Sequence, residues 1–279
     1  MSKFLVTGAT GYLGRHLVRE LIRGGHEILI LSRKSRLELF DVFPEQKFES
    51  LRFDIDAQNF ECFEGMGFTG FTLVDLAWNF ESSDHTQQAV EHYNFIMRLV
   101  NLGVGKVAVA GTLQELDFDQ GEIDELAPRL GTGAHGRAKS NLFLRLNSQL
   151  NHQGVPLLWM RFHYIFGDDS NSRSIFGKIA REPKPFYIEA RAGKFDFIQV
   201  EILARQIAKV LAGSTVGELD FGSGRRMTFR EALNAWLIQN DKDPSMYLPE
   251  SDVNAASTAH GTWPTLERLS RILENEPGS

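Results

Sequence analysis

Apolar residues fall into short runs separated by stretches of helical spacing. Lys3-Phe4-Leu5-Val6 opens the chain as a strand, and Arg15 to Ile22 follows as a helix with Leu17, Leu21 and Ile22 on one face. Gly24-Gly25 ends that helix, and His26 to Leu31 is a second strand, apolar enough to be buried on both faces. Phe48 to Ile55 and Phe71 to Ala77 read as further strands. A helix then places Val90, Tyr93, Ile96, Met97 and Val100 on one face, and Lys106 to Ala110 is the next strand. Leu113 to Gly133 is acidic and reads as loop. Arg137 to His152 is helical, with Leu142, Leu146 and Leu150 on one side, and Pro156 to Phe162 is a strand. Beyond it the pattern is less regular. Pro183 and Pro185 mark a loop, Phe195 to Val200 alternates as a short strand, and Leu203, Ile207, Val210 and Leu211 share a helix face. Leu219 to Phe221 is another short strand, and Thr228 N-caps a helix from Phe229 to Gln239.

Strands alternating with helices predict an α/β fold with a Rossmann-type, doubly wound parallel sheet. The expected division is a dinucleotide-binding domain over 1–166, its sheet also recruiting part of 195–224, and a small C-terminal substrate-binding lobe over 167–279.

Between the first strand and first helix runs Thr7-Gly8-Ala9-Thr10-Gly11-Tyr12-Leu13-Gly14. Strand, glycine-rich turn and helix make the context of a dinucleotide fingerprint. A helix start offers unpaired N–H groups and partial positive charge to a pyrophosphate, and glycine lets phosphates approach without a Cβ in the way. Thr7, Gly8, Thr10, Gly11, Tyr12, Leu13 and Gly14 are therefore the expected cradle. At the tip of the second strand, Ser32-Arg33-Lys34-Ser35-Arg36 carries three bases and no acid. An acid there hydrogen-bonds the ribose 2′-hydroxyl of NAD, whereas a cation favours the 2′-phosphate of NADP. The expected cofactor is NADP through Arg33, with NAD the alternative.

The chain has 279 residues, 42% hydrophobic and 24% charged, which suits a globular protein with a sizeable core. A net charge of −6 disfavours a general nucleic-acid surface. The one cysteine, Cys62, excludes an internal disulfide and fits a reducing, cytoplasmic setting. No apolar run reaches membrane-spanning length, and the chain enters a strand without a signal peptide. Neither a zinc-type histidine frame nor a cysteine cluster is present, so no metal is expected.

The residues resemble the extended short-chain dehydrogenases, the NAD-dependent epimerase/dehydratase family of nucleotide-sugar enzymes, over nearly the whole chain. Thr7 to Gly14 is similar to the family's TGxxGxxG. Asp54-Ile55 resembles the pair that touches adenine, and Leu76-Ala77 the pair lying against the cofactor. Asn94 falls at the family's central-helix asparagine. Gly111-Thr112 resembles the Ser/Thr pair after the fifth strand, with Thr112 at the catalytic hydroxyl. Arg161 to Gly167 resembles the Arg-led strand end, which places Phe162 among the cofactor-binding residues. Asp196 to Glu201 is similar to a signature shaping the sugar pocket, and Phe221 to Gly224 to a Gly-x-Gly turn.

The departure lies at the chemical centre. Where the family has YxxxK, this chain reads His135-Gly136-Arg137-Ala138-Lys139. The resemblance implies catalytic roles for Thr112, His135 and Lys139, with Lys139 also holding the nicotinamide ribose. An imidazolium is a competent acid near neutral pH, although Lys139 would push its pKa down. His163 and Tyr164 stand by as substitute acids. Glu115 follows Thr112 without the Asp-Glu pair of the dehydratases, and this Gly-Thr-x-x-Glu run is similar to that of 4-keto-6-deoxysugar reductases. The expected activity is therefore NADP-dependent reduction of a nucleotide-linked 4-keto-6-deoxysugar. A cofactor-binding sensor or subunit without catalysis, and an epimerase, are the alternatives. Arg173, Lys178 and Arg191 are loop cations available to the substrate diphosphate, and homodimerisation is open.

Overall fold

The computed structural model describes residues 1–44, 47–117, 121–167, 176–177, 193–248 and 261–274. Arg173, Lys178 and Arg191 lie outside the described residues. In chain order the main elements are β1 (Lys3–Thr7), α1 (Tyr12–Arg23), β2 (Glu27–Ser32), α2 (Arg36–Val42), β3 (Glu49–Arg52), β4 (Phe71–Asp75), α3 (His85–Asn101), β5 (Lys106–Ala110), β6 (Gly121–Ile123) and α4 (Gly133–Gln153). They continue as β7 (Leu157–Phe162), β8 (Tyr164–Phe166), β9 (Lys194–Gln199), α5 (Val200–Ala212), β10 (Gly217–Phe221), β11 (Arg226–Met227), α6 (Phe229–Gln239), β12 (Gly261–Pro264) and α7 (Glu267–Glu274).

Seven parallel strands form the main sheet in the order β10, β7, β5, β4, β1, β2, β3. Its centre is buried on both faces, so alternate residues of one strand serve two cores. Phe4 and Val6 pack with Leu17 and Leu21 of α1 and Leu203 and Ile207 of α5. Leu5, between them, packs on the opposite face with Phe95 and Leu99 of α3 and Leu142 and Leu146 of α4. Each such buried Leu or Phe contributes about 1.5–3 kcal/mol of transfer free energy. Strand order reverses between β1 and β4, which opens a crevice at their carboxyl ends, where ligands of such sheets bind.

A smaller sheet runs β11, β9, β12, β6, with β8 paired to β9. Phe195 and Phe197 on one face of β9 join Leu233, Trp236 and Leu237 of α6 in a third core.

Several expectations are corrected. The strand read over Phe48 to Ile55 is only Glu49–Arg52. The acidic stretch after Thr112 holds a short 3-10 helix at Leu113–Glu115 and strand β6, which pairs with β12, far along the chain. The buried face of α3 is Gln88, Ala89, His92, Phe95, Ile96 and Leu99, rotated from the face read in sequence. Helix α2 is not among the elements read from the pattern, although Ser35 and Glu38 form a reciprocal capping box at its start. Among the described residues no helix is long and apolar enough to cross a membrane.

Candidate active site

The glycine loop is built by packing constraints. Gly8 has φ +66°, and a Cβ there would stand 2.7 Å from the Ala77 backbone nitrogen. A Cβ on Gly14 would fall on the carbonyl oxygen of Gly8. A Cβ on Gly11, by contrast, would meet only the Gly8 oxygen, at 3.1 Å. The first and third glycines thus press helix and strand together, and the second leaves the helix start open. Gly11 is the N-cap of α1 and no side chain caps the helix there. The loop therefore fits a pyrophosphate, whose oxygens would take the amide donors that a capping side chain normally satisfies.

One cleft of about 980 Å³ runs from this loop across the strand ends. Every residue singled out in sequence for cofactor binding or catalysis lines it: Thr7, Gly8, Thr10 to Gly14, Arg33, Asp54, Ile55, Leu76, Ala77, Thr112, His135, Lys139 and Phe162. His163 and Tyr164 line it as well. Asn94 is exposed outside it, and Asp196 is buried elsewhere, accepting the Ser223 and Gly224 amides at 2.7 Å each. At the tip of β2, Arg33 also lines a side cavity of about 370 Å³, shared with Arg52, Asp54 and Cys62.

At the other end three elements meet. Thr112 caps the 3-10 helix, its hydroxyl accepting the Gln114 amide at 3.3 Å, while the Glu115 carboxylate accepts the Thr112 amide at 2.7 Å. Glu115 is fully buried, accepts the Trp159 indole N–H at 3.0 Å and is ion-paired with Arg129. Its work is to anchor the Thr112 backbone. The turn docks on the start of α4, where Gly131 N–H and Thr132 N–H donate to the Glu115 and Gln114 carbonyls. Helix α4 then carries His135 and Lys139 one turn apart on the face toward the cleft.

Lys139 is 3% exposed. Its ammonium donates to the Ala110 carbonyl at 2.9 Å and sits 3.9 Å from the centroid of the Trp78 ring. Burial lowers its pKa to about 8, with the Asp75 carboxylate holding it up. His135 packs among Trp78, Phe80 and His85, with ring centroids 5.2–5.3 Å away. Burial, and then the charges of Lys139 and His85, push its pKa down to about 3. The imidazolium expected at neutral pH is therefore not the resting form. His135 is a neutral ring whose hydrogen-bonding capacity is one N–H and one lone pair.

Sequence reasoning missed Asp75, Trp78 and His92. Asp75 ends β4, 1% exposed. It accepts the Thr7 hydroxyl at 2.5 Å and pairs with His92 Nδ1 at 2.7 Å. An acid closing an otherwise apolar central strand was the available signal, because such a carboxylate is buried and needs partners. Among the described residues no group of three or more His, Cys, Asp or Glu is arranged to hold a metal ion.

The sequence pattern of the NAD dependent epimerase/dehydratase family matches residues 4–68. A curated relative, dTDP-6-deoxy-L-talose 4-dehydrogenase (NAD(+)) of Aggregatibacter actinomycetemcomitans, is 30% identical over 261 residues, spanning 85% of this chain and 90% of its own. The chain belongs to the NAD dependent epimerase/dehydratase family. It is an oxidoreductase of the extended short-chain dehydrogenase type. Solved structures share the fold. DesIV, a dTDP-glucose 4,6-dehydratase from Streptomyces venezuelae, solved as a double mutant, superposes with TM-score 0.79 at 22% identity, over 99% of this chain and 92% of that one. UDP-glucuronic acid 4-epimerase from Bacillus cereus gives 0.76 at 16% identity, over 99% and 94%.

Proposed function

We propose that the protein is an NADP-dependent reductase of a nucleotide-linked 4-keto-6-deoxysugar. The observation that carries this reading is the meeting of Thr112, His135 and Lys139 at one end of a cleft whose other end is an uncapped, glycine-lined helix start. The Aggregatibacter relative, named for a 4-dehydrogenase acting on a dTDP-6-deoxysugar, supports the substrate class.

A bound nicotinamide dinucleotide supplies the hydride. The loop from Thr7 to Gly14 holds its diphosphate, Asp54 and Ile55 flank the adenine, and Leu76, Ala77 and Phe162 line its path. Arg33 meets the 2′-phosphate, which is the reason for preferring NADP. NAD, the cofactor in the relative's name, is the competing reading. Thr112 accepts a backbone amide, so its own O–H is left to donate to the ketone oxygen. His135, neutral, adds a second N–H donor to that oxygen. Lys139 is the resident cation whose pKa, near 8, matches proton release at neutral pH. Its Nζ gives up one proton as the ketone oxygen becomes a hydroxyl.

The test is oxidation of NADPH or NADH by the purified protein on addition of dTDP-4-keto-6-deoxysugars, followed by nicotinamide absorbance. Turnover with a stoichiometric alcohol product supports the reading. Tight dinucleotide binding without turnover across the panel would replace it with the sensor or subunit reading, which the neutral His135 ring favours. Deuterium retained on the cofactor while the sugar inverts would replace it with epimerisation.

A further inference from the structure

The Asp75–His92 pair is used by neither the cofactor cradle nor the proton donors described above. Asp75 stands at the carboxyl end of β4, directly opposite Thr7 of β1 in the parallel register. Both of its oxygens are engaged: Oδ1 by the Thr7 hydroxyl at 2.5 Å, Oδ2 by His92 Nδ1 at 2.7 Å. Thr7 in turn accepts the Ala77 amide at 3.3 Å, so the same contact ties the strand before the glycine loop to the segment after β4 that bears Trp78. His92 comes from the buried face of α3 and its ring lies 5.1 Å from that of Trp78, the ring on which Lys139 rests. Asp75 lies opposite Val109 in the β4–β5 register, the residue before Ala110, whose carbonyl accepts the Lys139 ammonium, so a buried carboxylate and a buried ammonium share the ends of adjacent strands, which is costly unless each offsets the other.

We propose that Asp75 is a positioning residue for the reaction: clamped by Thr7 and His92, its carboxylate is the fixed counter-charge that retains the Lys139 ammonium at the chemical end of the cleft. This rests on the reductase reading for its consequence, but the coupling of the two groups does not. The charged and titratable neighbours divide clearly. His135 on α4 and His85 on α3 face the same aromatic cluster, and His92 belongs to the clamp. Glu115, on the 3-10 helix against α4, is spent on Arg129, and Arg161 of β7 is spent on Asp220. Asp75 is the carboxylate whose charge holds the Lys139 ammonium up against burial, and the influence is mutual. Burial alone would raise the Asp75 carboxyl, but His92, Lys139 and the Thr7 hydroxyl outweigh it and the net shift is downward.

The direct test needs neither substrate nor cofactor. The ε-carbon resonance of Lys139, assigned by its loss in Lys139→Met, is titrated by NMR in the free protein. Asp75→Asn keeps the side-chain shape and removes the charge. The Lys139 midpoint should fall from about 8 by on the order of one pH unit. A midpoint that stays in place overturns the proposal. His92→Leu and His92→Asn provide a pair that stands even where Asp75→Asn fails to fold. Leucine releases one carboxylate oxygen, while asparagine restores an N–H near the place of Nδ1. The midpoint should fall in the first and return in the second, and the basic limb of the kcat profile should move with it. Equal midpoints in the two variants would also overturn it. Absence of turnover on every ketosugar would sink the reductase reading while leaving a shifted midpoint intact, so the two failures are distinguishable.

Discussion

Gly136 and Gln114 touch so closely that a Cβ on the glycine would fall on the carbonyl oxygen of Gln114. This contact brings two of the candidate catalytic residues together. Gly136 follows His135 on α4, and Gln114 is two residues beyond Thr112 on the 3-10 helix. The oxygen that blocks the Cβ also accepts the Thr132 amide at 2.7 Å, so neither backbone has freedom to withdraw. Gly136→Ala should therefore destabilise the protein by about 1–3 kcal/mol through overpacking. Because relief requires the two elements to part, kcat should fall while dinucleotide affinity holds. Chemical denaturation alongside steady-state kinetics checks both, and an unchanged kcat would show that Thr112 does not depend on this docking.

The three loop glycines should separate by phenotype. Gly14→Ala drives a Cβ into the Gly8 carbonyl and should cost about 1–3 kcal/mol of stability. Gly11→Ala has φ −71° and one neighbour at 3.1 Å, so the fold should tolerate it. Its methyl, however, stands at the uncapped helix start, and dinucleotide affinity should drop about tenfold, or 1.4 kcal/mol. Calorimetry of binding together with thermal denaturation separates the two. Equal affinity in Gly11→Ala and the parent would move the diphosphate elsewhere.

Most of this arrangement was legible in the chain because it depends on local rules. The run from Lys3 to Gly14 declares strand, turn and helix within one βα unit, and Leu142, Leu146 and Leu150 of α4 mark their buried face by spacing alone. The tertiary contributions were not legible. Strand β6 forms only because Trp263, more than a hundred residues away, pairs with Glu122. His92 lies on the buried face of α3, where periodicity favours apolar residues, because Asp75 supplies a partner for its ring. The neutral state of His135 depends on burial by Trp78, Phe80 and His85, which no spacing rule encodes. Glu115 looked chemical beside Thr112, yet Trp159 and Arg129, both distant in sequence, convert it into an anchor.

On the proposed reading, cofactor preference is set at the tip of β2. Arg33 is exposed and lines both the main cleft and the side cavity shared with Arg52. A charge-assisted contact to a 2′-phosphate is worth about 1.5–3 kcal/mol. Arg33→Ser should raise the Kd for NADPH at least about tenfold and leave that for NADH within about twofold. Parallel titrations by nicotinamide fluorescence give the comparison. Equal losses for both cofactors would assign Arg33 a general electrostatic role and favour NAD.

His135 makes stability depend on acid. In the unfolded chain the ring titrates near 6.5, and in the folded protein near 3. Between those values the unfolded chain holds the additional proton, so lowering the pH draws the equilibrium toward unfolding. The contribution is intact above 6.5 and is lost progressively as pH falls toward 3. His135→Phe keeps an aromatic ring against Trp78 and Phe80 and removes the titration. Its Tm should fall less steeply than that of the parent over this interval. Parallel Tm curves would mean that the ring is solvated enough to titrate normally, and would reinstate an imidazolium as the proton donor.

A buried ion pair fixes the far side of the cleft floor. Arg161 of β7 and Asp220 of β10 are both fully buried, with the guanidinium donating to the two carboxylate oxygens at 2.8 and 2.5 Å. Asp220 also meets His163 Nε2 at 3.1 Å, and His163 lines the cleft. Asp220→Asn leaves the buried Arg161 charge with Glu218 at 3.5 Å as its nearest remaining carboxylate, and should cost about 3–5 kcal/mol. Arg161→Met with Asp220→Leu, which removes both charges, should recover much of that loss. If the pair served only stability, the double variant would regain kcat together with Tm. If Asp220 also orients His163 for the substrate, Tm should return while KM stays raised, and that split is what denaturation and kinetics on the same preparations would reveal.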